Sequence, residues 1–161
     1  MGVTQPVVVG VADHGGWAIL VSVAAKNGQP VVIDRRRATT IDEGVPSQPY
    51  HHDTLTMGDD EAEALLVKVK RSVAACTSRA FEQLATDLGA GYRVEAITIR
   101  VPPLERLPAT AKEAHASYYV QCRADGMLYH ATLCEAAEAR GWTVVCVPRG
   151  DEISRAAEAL A

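Results

Sequence analysis

A chain of 161 residues with 48% hydrophobic and 22% charged residues has the composition of one globular domain. This composition excludes a mainly disordered chain, and the apolar runs are well short of the ~18 residues that a membrane-spanning helix needs. The formal net charge of −4 argues against broad, nonspecific binding to nucleic acid, which depends on lysine and arginine side chains that displace counterions from phosphates.

The N-terminal residues and the cysteines indicate a cytoplasmic protein. The first ten residues, MGVTQPVVVG, lack the basic segment of a secretory signal. The cysteines form no C-x-x-C pair and have apolar neighbours, which is typical of reduced thiols in a core. We therefore expect a single cytoplasmic domain over residues 1–161, with no membrane contact, that is a monomer or a small homo-oligomer.

The N-terminal part of the chain predicts three antiparallel strands. Residues 7–11 are nearly all valine, without the alternation of a half-exposed strand, so we expect this strand at the centre of a sheet with both faces covered. Residues 17–24 and 30–36 predict the second and third strands. Asn27-Gly28 between them is a hairpin signal, because both residues tolerate a positive φ.

A long loop and a long helix follow. Residues 37–58 have neither a helical nor a strand period, and a loop of this length in a compact domain is usually functional or disordered. After it, Asp60 and Glu63 match a capping box, an apolar stripe at helical spacing continues to Leu88, and Gly89 is a stop signal.

The C-terminal part predicts alternating strands and helices. Residues 92–101, YRVEAITIRV, predict a fourth strand that the following Pro-Pro pair ends. Thr110 and Glu113 match a second capping box and predict one helix over residues 110–141. Residues 142–147 predict a buried fifth strand, and residues 151–160 a last helix. The predicted order is β-β-β-α-β-α-β-α, which belongs to the α/β class.

This order resembles the ribonuclease H-like superfamily over almost the whole chain, from Val7 to Ala161. The stretches GVADHGG and AITIRVPP, and the helix that ends EAAEARGWTVVCVP, are nearest in pattern to Holliday-junction resolvase-like domains. The resemblance implies a five-stranded mixed sheet with helices on both faces. It also implies a site where two divalent cations, held by carboxylates, stabilise the attacking and leaving oxygens of a phosphodiester.

The resemblance implies roles for three carboxylates of this chain. Asp13 would be the first metal ligand, and Asp151 or Glu152 the last, with Asp13 and Asp151 holding Mg²⁺ or Mn²⁺ and all three in catalytic positions. At the fourth strand the resolvases place an acid after an Ala-Ile pair, whereas here Thr98 follows that pair. Glu95 is an odd number of residues from Thr98, so the pleat points it to the opposite face.

Several other residues are candidate binding residues, each with a structural alternative. The run PYHHD offers imidazoles that suit a transition metal, or else it is a packed loop with Tyr50 as its anchor. The arginine run at 35–37 matches phosphates or protects an edge strand, and Asp13 itself suits a tight turn before Gly-Gly. The candidate binding residues are His14, Arg36, His51, His52, Tyr118 and Tyr119.

Two functions follow from these residues. The first is a ribonuclease H-like domain that is non-catalytic or degenerate and binds a protein or nucleic-acid partner through the histidine-rich loop and the aromatic start of the second long helix. The second is a Mg²⁺- or Mn²⁺-dependent phosphodiesterase that acts on structured nucleic acid. The missing acid at Thr98 and the acidic net charge favour the first.

Overall fold

A computed structural model describes residues 4–149. A 3₁₀ turn at Asp53–Thr56 lies in the long loop. The other elements, in chain order, are β1 (Gln5–His14), β2 (Trp17–Lys26), β3 (Gln29–Thr39), α1 (Asp59–Leu88), β4 (Tyr92–Arg100), α2 (Ala111–His115), α3 (Tyr118–Glu138) and β5 (Thr143–Val147).

The strands form one five-stranded mixed sheet in the order β3-β2-β1-β4-β5. β1 pairs antiparallel with β2 on one side and parallel with β4 on the other, while β2–β3 is antiparallel and β4–β5 is parallel. The predicted α/β class, the five strands and the central position of β1 are therefore confirmed. The predicted burial of the fifth strand is wrong, because β5 lies at an edge of the sheet and most of its residues are exposed.

Both long helices pack on the same face of this sheet. Val7, Val9 and Val11 of β1 are buried there, together with Phe81 of α1 and Leu133 of α3. The alternate residue Val8 faces the other way and is 42% exposed. Elements within residues 4–149 therefore cover one face of β1, not both. The last predicted helix, with Asp151 and Glu152, lies outside the described residues.

The predicted turns agree with the structure. Asn27 and Gly28 have φ values of 52° and 77°, as a two-residue hairpin requires. Gly89 and Gly141, predicted to end helices, have φ values of 70° and 75°. The glycine signals thus place the turn between β2 and β3 and the end of α1 correctly, whereas Gly141 lies three residues after the last residue of α3, Glu138.

The capping box predicted at Asp60 and Glu63 is wrong. α1 begins at Asp59, and its N-cap is Gly58, two residues before the predicted cap, without a side-chain hydrogen bond. The Glu63 carboxylate instead accepts a hydrogen bond from the Ala111 amide, 2.6 Å away, at the start of α2. Glu63 therefore connects α1 to α2 instead of capping its own helix.

The single helix predicted over residues 110–141 is also wrong, because the structure has two helices there. Thr110 does cap α2, and its hydroxyl accepts a hydrogen bond from the Glu113 amide at 3.0 Å. The chain then leaves helical geometry at Ser117 (φ −144°, ψ 131°), which caps α3. The break follows His115, whose ring contacts the long loop.

Val9→Ala tests which face of the sheet carries the core. Val9 is fully buried, so we expect the substitution to lower the free energy of unfolding by about 2 kcal/mol. Val8→Ala is the matched control on the opposite face and should cost less than about 1 kcal/mol, because its side chain is half exposed already. Urea denaturation measures both, and equal losses would contradict the assignment of the faces.

Candidate functional site

A cleft of about 500 Å³ lies at the carboxyl ends of β1 and β4. We call it the strand-end cleft. Ligands of α/β proteins commonly bind beyond the carboxyl ends of the strands, so this is a reasonable place for a site. Its lining includes Gly10, Asp13, His14, Thr98 and Arg100.

Asp13 lies within β1 and is paired with Ala18 of β2. The turn itself consists of Gly15 and Gly16, so Asp13 precedes the turn rather than forming it. Alternation along the strand places Asp13 on the same face as Val11, the face that packs against α3. Burial and the neighbouring Cys146 raise the pKa of the Cys134 thiol of α3 to about 11, and the Asp13 charge contributes to that increase.

The described lining holds a single carboxylate, that of Asp13. Thr98 is uncharged, and Glu95 on the same strand is exposed and forms an ion pair with Arg93 at 2.6 Å. Within residues 4–149 no group of three or more histidine, cysteine or acidic side chains is placed to hold a metal ion. The described residues therefore do not fit a two-metal centre.

His14 belongs to a stack of three side chains on the open face of the sheet. Its ring lies parallel to that of Trp17, with 3.9 Å between the centroids. The guanidinium of Arg37 lies 4.1 Å from the centroid of the Trp17 ring. A cation over an indole ring is attracted by the ring's quadrupole, so the stack holds His14 at the rim of the cleft.

The second candidate site is the histidine loop, residues 47–54, together with the N-terminal half of α3. The Asp125 carboxylate of α3 is only 6% exposed and accepts hydrogen bonds from the amides of Tyr50 and His51, both at 3.0 Å. Burial raises the pKa of this carboxyl, while the two amides lower it. A buried side chain of one helix thus holds two successive backbone donors of the loop.

Other side chains attach the same loop. The Tyr129 hydroxyl of α3 donates to the Ser47 carbonyl at 2.9 Å. The His115 ring nitrogen Nε2 lies 3.2 Å from the Tyr50 carbonyl and 3.0 Å from the Thr54 hydroxyl. The ring of Tyr50 is completely buried, as expected for an anchor residue. The loop is therefore an ordered part of the fold.

Four of the predicted binding residues lie on the histidine loop and at the start of α3. His52 is exposed and its ring lies 4.6 Å from that of His51. Tyr118 and Tyr119 at the start of α3 are 75% and 57% exposed. Asp125, which binds the loop, is seven residues beyond Tyr118, about 10 Å along the helix. We call these four exposed or half-buried rings the aromatic surface.

Arg36, predicted to bind phosphate, lies elsewhere. It is on the edge strand β3, where its guanidinium binds Asp34 at 2.7 Å and Asp87 of α1 at 2.7 Å. These carboxylates raise its pKa above the usual value. Arg36 thus joins the edge strand to a helix, and it contributes to neither the cleft nor the aromatic surface.

Asp125 and His130, which stand out in the sequence as polar residues of an alanine-rich helix, are buried and position these sites. Asp125 is three residues before Leu128 and four before Tyr129, on the apolar side of its helix, and a carboxylate at such a spacing is the signal that it is buried. His130 is buried as well, and its Nε2 donates to the Arg100 carbonyl at 2.7 Å. That bond ties the end of β4, and so the cleft, to α3.

No protein-family model and no curated protein matches this chain. In the part of the chain that the structure describes, no helix combines the length and the apolar character that crossing a membrane requires.

Asp125→Ala should release the histidine loop. Two backbone amides lose their acceptor, so we expect a loss of about 2 kcal/mol in the free energy of unfolding and faster amide exchange at Tyr50 and His51. Glu43→Ala, an exposed change in the same long loop, is the control and should alter neither quantity. Unchanged exchange at both amides in Asp125→Ala would contradict the role of Asp125.

The pH dependence of stability should also report Asp125. Because its pKa is raised in the folded state, its protonated form stabilises the fold at low pH, and this contribution is lost as the pH rises above the ordinary value of 3.8. The difference in unfolding free energy between the native chain and Asp125→Asn, which cannot titrate, should fall as the pH rises above about 4. A difference that grows with pH over this range would mean that the folded-state pKa is lowered.

Proposed function

We propose that this chain is a ribonuclease H-like domain that binds a partner and does not hydrolyse phosphodiesters. The strand order β3-β2-β1-β4-β5, with β1 antiparallel to β2 and parallel to β4, supports the family. It is the arrangement that the resemblance of the sequence implies. The strand-end cleft includes Asp13, the residue that the resemblance makes the first metal ligand.

One observation carries the non-catalytic part of the proposal. Asp13 is the only carboxylate in the described lining of the strand-end cleft, and Thr98 and Arg100 are the polar side chains that β4 contributes. Two divalent cations a few Å apart need several carboxylates to offset their mutual repulsion and the loss of bound water. The described cleft does not supply them.

The aromatic surface is the proposed binding region. Tyrosine and histidine rings combine apolar area with polar atoms, and exposed tyrosines of this kind are enriched where proteins bind partners. Tyr118 and Tyr119 project from a helix whose Asp125 also holds the histidine loop, so the rings are presented by ordered backbone. Because this backbone is ordered before a partner binds, less conformational entropy is lost on binding.

A metal-dependent phosphodiesterase is the second candidate, and the position of Asp13 favours it. Asp13 is one of the residues that line the strand-end cleft, at the carboxyl end of the central strand. This activity would need Mg²⁺ or Mn²⁺, and it would need the further acids Asp151 or Glu152.

A four-way DNA junction separates the two functions. We expect the native chain to leave the junction uncut in millimolar Mg²⁺ or Mn²⁺, and Asp13→Asn to behave identically. A ligand that binds only the folded state raises the melting midpoint. Because we expect no metal to bind, the midpoint should be the same with and without Mg²⁺ or Mn²⁺. Gel electrophoresis and thermal melting provide the two measurements.

Cleavage or binding of the junction would each decide between the two functions. Metal-dependent cleavage by the native chain that Asp13→Asn abolishes would overturn the binding proposal and support the phosphodiesterase. Binding of the junction without cleavage, weakened by Tyr118→Ala and Tyr119→Ala but not by the exposed control Glu43→Ala, would identify nucleic acid as the partner.

A further inference from the structure

The two edges of the sheet differ in chemistry. β3 forms one edge and carries Pro30, three successive arginines from Arg35 to Arg37, and a register irregularity against β2. Charges, proline and bulges are the features by which natural edge strands avoid pairing with other chains. β5, TVVCV, forms the other edge with no charge, no proline and an unbroken register against β4.

The outer side of β5 is accessible in the described structure. β5 pairs with β4 alone among the described strands, so half of its backbone groups point away from the sheet. Val145, in the middle of the strand, is 40% exposed, and Thr143 and Cys146 are exposed too. Val101, whose amide donates to the Val147 carbonyl, adds a further exposed valine where the strand ends.

We propose that the β5 edge binds a second copy of this chain, strand to strand and antiparallel, about a two-fold axis beside Val145. Each copy would supply hydrogen-bond donors and acceptors to the other, and the two sheets would join into one of ten strands. This interface does not depend on the proposed function: it shares no residue with the aromatic surface and only Val147 with the lining of the strand-end cleft.

The sequence of β5 explains why the occupant is an identical strand. A two-fold axis at Val145 places Val145 opposite itself, Val144 opposite Cys146 of the other copy, and Thr143 opposite Val147. Every pair is uncharged, and all but the Val144–Cys146 pair consist of β-branched residues, which favour cross-strand packing. A chain with a net charge of −4 repels its own copies, and β5 offers an edge where no like charges meet.

Light scattering after gel filtration tests the proposal. The native chain should have twice the monomer mass of 17.2 kDa, with dissociation on dilution. Val145→Lys sets two ammonium groups opposite each other and should weaken the dimer at least tenfold. Val32→Lys is the matched control: this valine lies on the other edge strand, is 58% exposed, and should leave the mass unchanged.

A cysteine pair provides a positive test that does not depend on the stability of Val145→Lys. Residues directly opposite in an antiparallel pair have Cα atoms within the range that a disulfide spans. Val144→Cys should therefore form an intermolecular disulfide with Cys146 of the other copy under mild oxidation, and Val144→Cys combined with Cys146→Ser should not. A monomeric mass at all concentrations for the native chain, or equal weakening by Val32→Lys and Val145→Lys, would overturn the proposal.

Discussion

The pairing of β1 on both of its edges is the constraint from which the rest of the structure follows. Antiparallel pairing with β2 requires only the two-residue turn at Gly15-Gly16, whereas parallel pairing with β4 requires a crossover, which β3, the long loop and α1 provide. A crossover helix must pack on the sheet, and α1 does so beside α3. The parallel β1–β4 pair also brings the carboxyl ends of both strands together, and this creates the strand-end cleft.

The buried carboxylate of Asp125 imposes a second constraint, on the loop that the crossover leaves behind. Burial of a charged group in an apolar environment is costly unless hydrogen bonds satisfy it, and here two backbone amides do so. Burial raises the pKa of Asp125, and the hydrogen bonds from the two amides lower it by less. Without the loop, the Asp125 carboxylate would lose the two hydrogen bonds that it accepts. The burial of Asp125 in α3 and the position of the loop therefore depend on each other.

The sequence predicts turns and helix ends well, but it does not predict hydrogen bonds between residues that are far apart in the chain. Asn27-Gly28, Gly89 and Gly141 carry their turn geometry in their own backbone freedom, so short-range reasoning suffices for them. Glu63 and His115 show the opposite case, because each uses its polar atoms on a partner dozens of residues away. No local pattern reveals that partner, and the cap at Asp60 and the continuous helix over residues 110–141 were therefore wrong.

The candidate site was predictable in its residue types and not in its grouping. In the sequence, His51 and His52 stand out as possible metal ligands, and Tyr118 and Tyr119 as aromatic residues on an alanine-rich helix. Asp125 holds the histidine loop on α3, and the sequence around a single acidic residue in a helix does not show which backbone amides it will bind. For Asp13, the valine strand and the Gly-Gly pair were enough to place it at a strand end.

The histidine loop and the strand-end cleft form one connected structure. The Thr40 amide donates to the Gly16 carbonyl at 2.9 Å, so the start of the long loop binds the turn that follows Asp13. Gly16 has φ +87°, and a Cβ there would lie 3.1 Å from the Ile41 side chain, so the loop packs on the turn with no room for a larger residue. Tyr129 then holds the same loop at Ser47, next to Gly15. Displacement of the loop by a partner at the aromatic surface would therefore reach the turn, and through it the position of Asp13 and His14.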